Sequence, residues 1–554
     1  MVLVAFGLGR AAPAQENNAR PTFLFAGGNV YTLDARGARA EAIFVAGDRI
    51  TAVGTLAALQ ELRQPDTRTI PLNGATVLPG LIDAHGHMAA LGSFALGRLD
   101  LSSAKSFDQL VAVIAEQVKA AQPGAWIVGG RWDHESWPDR ALPTHAKLSA
   151  VSPDNPVWLT RVDGHAGLAN AAAMKLAGVT RDTGVPRGGD ILKDGAGEPT
   201  GIFLDNAEDL IAEHAQGPSA SPADLILAAQ KLCLSAGLTG VHDAGITPAE
   251  ADVYKELADA GQLKLRVYAL LAGNYAIDYF TERAPLIGER FTLRSCKLYA
   301  DGALGSRGAW LIDAYSDKPT DAQGRPYTGF PVMQTEFLRR VAEDGLRRGY
   351  QVCTHAIGDR GNREALSAYA VALSRRPTEG HRFRVEHAQV LTSDDLARFK
   401  QLGVIASMQP THCTSDMRWA EARLGPRRCA GAYAWARLLR SGAALALGSD
   451  FPVESHNPFL GLYAAVTRQD REGAPAGGWR PQERMTREEA LRGFTLGSAY
   501  AAFEEDRKGT LEPGKLADFV VIDRDVLTCD PLEIPHTFVL MTVIGGEIVH
   551  RAQP

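Results

Sequence analysis

Short apolar runs ending in glycine or a polar turn recur along this chain, and their texture changes twice. From residue 22 to 75 they alternate tightly with Gly, Asn and Asp turns, as in FLFAGGNVYTL, AIFVAGDRITAVG and TIPLNGATVLPG. The far end, 505 to 554, repeats the texture in GTLEPGKLADFVVID and FVLMTVIGGEIVH. β-branched and apolar residues between turn formers predict antiparallel strands. Each segment is small for a core of its own, so the two are expected to pair into one small β-sandwich.

Between these ends, strand-like runs alternate with amphipathic stretches such as DQLVAVIAEQVKAA and EFLRRVAEDGLRRG. The runs are ATVLPGLIDAHGH, LTGVHDAG, LKLRVYALLAG, RSCKLYADGA, YQVCTHAIGD, FRVEHAQ, GVIASMQP and AALALGSD. Strands joined by helical crossovers in this way predict an α/β fold, a (β/α)8 TIM barrel over 76–95 and 225–504, with its site at the C-terminal strand ends. About 150 residues separate the first two runs, far more than one crossover helix needs. That gap holds WIVGGRWDHESWPDRALP, PVWLTRVDGHAGLANAAAM and GEPTGIFLDNA, which carry strand and turn signals of their own. Residues 96–224 therefore read as an inserted subdomain near the mouth of the barrel.

Composition removes several classes. The 554 residues are 45% hydrophobic and 22% charged, with a net charge of -6 and no long basic run, which argues against nucleic acid as a partner. No apolar stretch reaches the roughly 20 residues of a membrane span. The six cysteines are scattered without CxxC pairing, so no disulfide framework is expected. Near the start, a short apolar stretch leads to Ala12-Pro13-Ala14, a small-x-small cleavage pattern. Residues 1–21 accordingly read as a truncated signal peptide for periplasmic export, the alternative being a disordered tail on a cytoplasmic protein.

The ends of the eight runs change the picture most. The first ends in His85 and His87, the fourth carries Lys297, the fifth His355, the sixth His387 and the eighth Asp450. Alternate residues of a strand face one way, so His85 and His87 can reach one point. Imidazole nitrogen and carboxylate oxygen suit zinc and similar divalent ions. A lone histidine at a strand end is more often structural; four, with an aspartate, in one topological position point to a metal centre.

The motifs PGLIDAHGHM, GEPTGIF, KLYADGALGSRGA, THAIGDRGN, RVEHAQ, ALGSDFPV and RWAEARLGPRRCAGAYAWARLL resemble the amidohydrolase superfamily. Within it, they resemble the amidohydrolase-3 branch that includes N-substituted formamide deformylase-like proteins. The resemblance implies two divalent ions, two Zn2+ by the donor types. One would be held by His85, His87 and Asp450, the other by His355 and His387. It also implies that carbon dioxide modifies Lys297 to a bridging carbamate; the plain alternative is an ordinary lysine paired with Asp301. D-aminoacylase, a relative, uses a cysteine ligand, and the lysine of KLYADG departs from that. Water held by such ions has its pKa lowered from 15.7 to roughly 7. Asp450 would then accept its proton and pass it to a departing nitrogen.

The implied activity is hydrolysis of a C–N bond in an amide, formamide or cyclic amide. An ester or lactone carbonyl is the alternative, and a non-catalytic periplasmic binding protein the remote one. Arg131, Trp132, Trp137 and His165 either line a substrate cleft or fill a core. His242 and Asp243, which end the second run, either contact substrate, support the ligands from behind or are structural, and Arg307 and His412 are open in the same way. Asp83, Asp301, Asp359 and Glu386 flank the ligands and either fix imidazole tautomers or cap turns. The expected partner is a small molecule, with a homodimer left open.

Overall fold

The computed structural model describes residues 21–215, 217 and 220–553; the N-terminal segment read as an export signal falls outside them, apart from Pro21. All eight expected barrel strands form: β1 Leu81–Gly86, β2 Leu238–Ile246, β3 Arg266–Ala272, β4 Phe291–Tyr299, β5 Gln351–Ala356, β6 Arg384–His387, β7 Ile405–Met408 and β8 Leu445–Leu447. Each pairs in parallel with the next. Closure between the last and first strands comes just beyond β8, through a parallel bridge from Gly86 to Phe451. A Cβ on Gly86 would lie 2.4 Å from the Phe451 ring, so only glycine permits this approach. The His87 amide donates to the Phe451 carbonyl at 2.8 Å, and the Asp450 amide to the His85 carbonyl at 2.7 Å. The seam of the barrel thus runs through the proposed metal ligands.

Helical crossovers stop and start where the sequence signals it. Pro248–Asp259 opens on a capping box of Thr247 and Glu250 with proline in the first turn, which satisfies its free amides. Thr335–Arg348 ends at Gly349, whose φ is 77°, the left-handed stop that glycine supplies.

The first apolar run, however, divides. Thr76–Pro79 leaves the barrel and pairs antiparallel with Phe519–Ile522, and β1 begins only at Leu81. Proline has no amide to donate to a ladder, and it ends the first strand. Strands from both chain ends meet in one hydrogen-bonded sheet: Thr22–Tyr31, Arg39–Ala46, Arg49–Gly54, Arg68–Pro71 and Thr76–Pro79 with Phe519–Ile522, Val539–Ile544 and Glu547–Arg551. They share a core in which Phe25 meets Phe519 edge-on at 4.8 Å.

The long gap after β1 holds its own six-stranded sheet, with strands Leu99–Asp100, Ile127–Trp132, Val157–Arg161, Ala166–Ala169, Gly189–Lys193 and Pro199–Asp205. Its core is built on Trp132, Trp137, Leu159 and Ile202. No helix among the described residues is long and apolar enough to cross a membrane.

Candidate metal centre

The strand-end positions bring buried His85, His387 and Asp450 and half-buried His87 into one cluster. Asp450 Oδ1 lies 3.0 Å from His87 Nε2 and 3.6 Å from His85 Nε2, and its Oδ2 is 3.6 Å from His412 Nε2. Ligand bonds near 2 Å hold ligand atoms roughly 3–4 Å apart, so the His85, His87, Asp450 group suits one divalent ion. A second group, His387, His412 and Asp450, is comparably close. The His355 ring stands 4.5 Å from that of His387.

Each expected histidine ligand has one nitrogen held from behind. Glu386 faces His85 Nδ1 at 2.6 Å, the Ala244 carbonyl faces His87 Nδ1 at 2.9 Å, and Gln409 Oε1 faces His387 Nδ1 at 2.7 Å. His355 turns Nε2 to the Gly302 carbonyl at 3.4 Å, leaving Nδ1 as its free nitrogen. Oxygen partners of this kind fix tautomer and ring orientation in metal-binding histidines. Burial pushes the pKa of His85 down to about 4 and those of His355 and His387 well below the ordinary value, keeping them in the neutral form that binds metal.

The acids divide in two. Burial resists ionisation of Glu386, but Arg384 and His85 hold it below its ordinary value. Burial likewise opposes charge on Asp450, and His85 and His87 outweigh it. Asp83 and Asp301 are pushed by burial up to about 7. They cap backbone: Asp83 takes the His85 and Ser449 amides, and Asp301 those of Ile357, Gly358 and Trp310. Asp359 also caps, through the Ile312 amide. Of the four flanking acids, Glu386 is the one hydrogen-bonded to the ring of an expected ligand, His85.

Lys297 is 1% exposed, with Nζ 2.9 Å from His85 Nε2. Among the described residues no carboxylate pairs with it, Asp301 included. An ammonium here would set a positive charge beside any bound cation, whereas a carbamate would supply an anion. The donor set, the oriented rings and His412 Nε2, which faces Asp450 at 3.6 Å without a hydrogen-bond partner, all fit a divalent ion.

Two sites of backbone strain coincide with the chemistry. His387 and Asp450 have φ of 72° and 61°, a region costly for residues other than glycine and characteristic of active sites.

Two cavities open onto the cluster and share Arg161, Asp163, His165, His355, His387 and Asp450 in their walls. Among the expected substrate contacts, His165 lines both and Arg131 lines one, though Arg131 is also paired with Asp100 at 2.7 Å. Trp132 does not reach either. It is fully buried in the core of the inserted sheet, stacked on Trp137, with Nε1 donating to the Leu159 carbonyl. His242 is buried behind the cluster with Nδ1 2.9 Å from Arg384. Arg307 pairs with Asp317 at 2.9 Å and lines neither cavity. Residues that sequence reasoning missed include Gln409, which directly follows β7, and Asp205, which ends an inserted strand; strand-end position was the available signal for both.

The model of the amidohydrolase family matches residues 68–550. The Bacillus subtilis protein YtcJ is 34% identical over 532 residues, 95% of this chain and 98% of its own. An N-substituted formamide deformylase from Arthrobacter pascens is 29% identical, covering 94% of this chain and 96% of its own. Among solved structures, an uncharacterized metal-dependent hydrolase from Pyrococcus horikoshii OT3 superposes with a TM-score of 0.74 at 26% identity, over 92% of this chain and 99% of that one.

Proposed function

This chain belongs to the amidohydrolase family of metal-dependent hydrolases, and from that premise we propose that it cleaves a C–N bond of an amide, formamide or cyclic amide. The observation that carries this reading is Asp450, a buried carboxylate held ionised within 3.6 Å of His85, His87 and His412. His85, His87 and Asp450 would hold one divalent ion, zinc by donor type. His355 and His387 would hold a second, with Lys297 as a carbamate between them. Bound there, such ions polarise a carbonyl and make water a stronger acid at neutral pH.

The chain's own groups supply the rest. Asp450 accepts the proton of the attacking water and returns it to the departing nitrogen, without which an amine is a poor leaving group. Glu386, Gln409 and the Ala244 and Gly302 carbonyls keep the imidazoles aimed. The N-substituted formamide deformylase among the relatives supports formamides as the first substrates to test. Metal-loaded protein should release formate from N-benzylformamide, and Asp450→Asn should abolish that release. Turnover of esters and lactones alone would refute the C–N assignment.

A further inference from the structure

The larger of the two cavities runs from the metal cluster to a pair of arginines that neither metal ligation nor proton transfer uses. The helix Met88–Ala95 starts directly after His87, and its face carrying Ala90 and Phe94 lines that cavity. Phe94 follows His87 by seven residues, two turns along one face, or about 10 Å at the rise of an α-helix. There the guanidinium carbons of Arg98 and Arg131 stand over the Phe94 ring, 5.2 and 5.8 Å from its centroid. Both arginines line the cavity wall.

Local structure aims these side chains. Arg131 is the extra residue of a β-bulge: Gly130 pairs with Thr160 and Trp132 with Arg161, leaving Arg131 unmatched between them at a φ of 67°. A bulge redirects the side chains around it, so Trp132 enters the core of the inserted sheet while Arg131 meets the cavity. Arg98 is held through Nη2, which donates to the Gly129 carbonyl and to Thr160 Oγ1 at 3.3 and 3.1 Å.

Charge at this end of the cavity does not balance. Asp100 takes Arg131 Nη1 at 2.7 Å, but among the described residues no carboxylate pairs with Arg98, and burial lowers its pKa. The Nε of each arginine is buried without a hydrogen-bond partner. Asp163 is taken by Arg161. Asp205, Glu208 and Asp209 line the cavity from the end of the strand Pro199–Asp205 or just beyond it. That strand is three places from Ile127–Trp132 in the inserted sheet, about 14 Å at the spacing of a sheet. A half-buried cation is costly unless an opposite charge meets it, and guanidinium stays charged at any working pH.

We propose that Arg98 and Arg131, over the face of Phe94, bind a carboxylate that the substrate carries about 10 Å from its scissile carbonyl, with an apolar chain along Ala90 between the two. Resting on the hydrolase reading above, this names its substrate class: amides or formamides whose far end is a carboxylate. The planar fork of a guanidinium matches a carboxylate, and the Phe94 ring supports the cations from one side.

The test uses metal-loaded protein and matched pairs of compounds. N-formyl-ω-aminoheptanoate puts a carboxylate near that distance, N-heptylformamide ends in a methyl group, and N-formylglycine carries its charge too close, with N-ethylformamide as its neutral partner. The uncleaved pair ω-(methanesulfonamido)heptanoate and N-heptylmethanesulfonamide reads binding alone, by calorimetry. In wild type the heptanoate should exceed its neutral partner at least about tenfold, both in kcat/KM and in calorimetric affinity, and N-formylglycine should gain nothing over N-ethylformamide. Arg98→Gln and Arg131→Gln should each cut the heptanoate preference severalfold and together bring it near one, while Arg98→Lys should keep part of it. Asp100→Asn frees the Arg131 fork and should tighten the carboxylate sulfonamide, a gain that loss of structure cannot mimic. Equal affinity, or none, for the two sulfonamides in wild type would overturn the proposal. So would a preference that survives in the double variant, or one as large for N-formylglycine. A sulfonamide preference that depends on both arginines in a protein that cleaves no formamide would instead overturn the C–N reading and leave the carboxylate subsite standing.

Discussion

Glu386 and Lys297 stand on either side of the His85 ring, and each makes a separable prediction. Glu386 fixes His85 through Nδ1 at 2.6 Å. Glu386→Gln keeps an acceptor there but removes the charge, so metal affinity should fall about 10–100-fold, as read by competition with a chelator. Unchanged affinity would reduce Glu386 to a partner of Arg384. Lys297→Ala should release at least one ion and lower turnover by several orders of magnitude, and a short carboxylic acid in the medium should restore part of it. Lys297→Arg should stay inactive under the same treatment, because guanidinium has no acceptor to offer a metal. If Arg substitutes well and Ala does not, Lys297 is an ordinary ion-pairing lysine. His85→Ala and His355→Ala should each lose metal and activity together; full metal content with wild-type turnover in either would take the ion out of the mechanism.

At the scale of elements, a buried ion pair helps anchor the sheet built from the chain ends to the barrel. Arg266 at the start of β3 binds Asp518 through Nε and Nη2 at 2.7 and 2.9 Å, and each side chain is 3% exposed. Asp518→Ala strands a buried guanidinium and should cost about 3–5 kcal/mol of stability, measured by denaturant unfolding. Burial opposes ionisation of Asp518, but Arg266 holds its carboxyl below its ordinary 3.8. A depressed acid contributes stability at neutral pH and loses it as pH falls through the folded value. Wild type should therefore lose this contribution below about pH 4, and Asp518→Ala should show a flatter acid limb. The eight barrel strands were legible because each is a short apolar run between helical periods. The break after Pro79 was harder to see, since Thr76–Pro79 and β1 read as one apolar run and only the missing proline amide separates them.

For the molecule as a whole, what could be read depended on where the chain crosses the site. The expected ligand positions on the barrel stood out because His85, His355, His387 and Asp450 end runs in one topological layer. Trp132 and Arg307 were misplaced for the opposite reason: in an inserted sheet or a long loop, an aromatic or arginine gives no sign of whether it faces a cavity, a core or an acid. Trp132 packs on Trp137 and Arg307 pairs with Asp317, contacts set by tertiary geometry alone. Asp205 could be suspected from its strand-end position, but only the register of its strand shows that it stands beside His165.

The central claim is that the buried cluster holds divalent metal and hydrolyses a C–N bond with it. Its most direct test is to strip the protein with a chelator, titrate Zn2+ back, and follow formate release from N-benzylformamide at each addition. Activity should vanish on stripping and return in proportion to bound zinc, with a break at two ions per chain. Undiminished formate release from the metal-free protein would contradict the account.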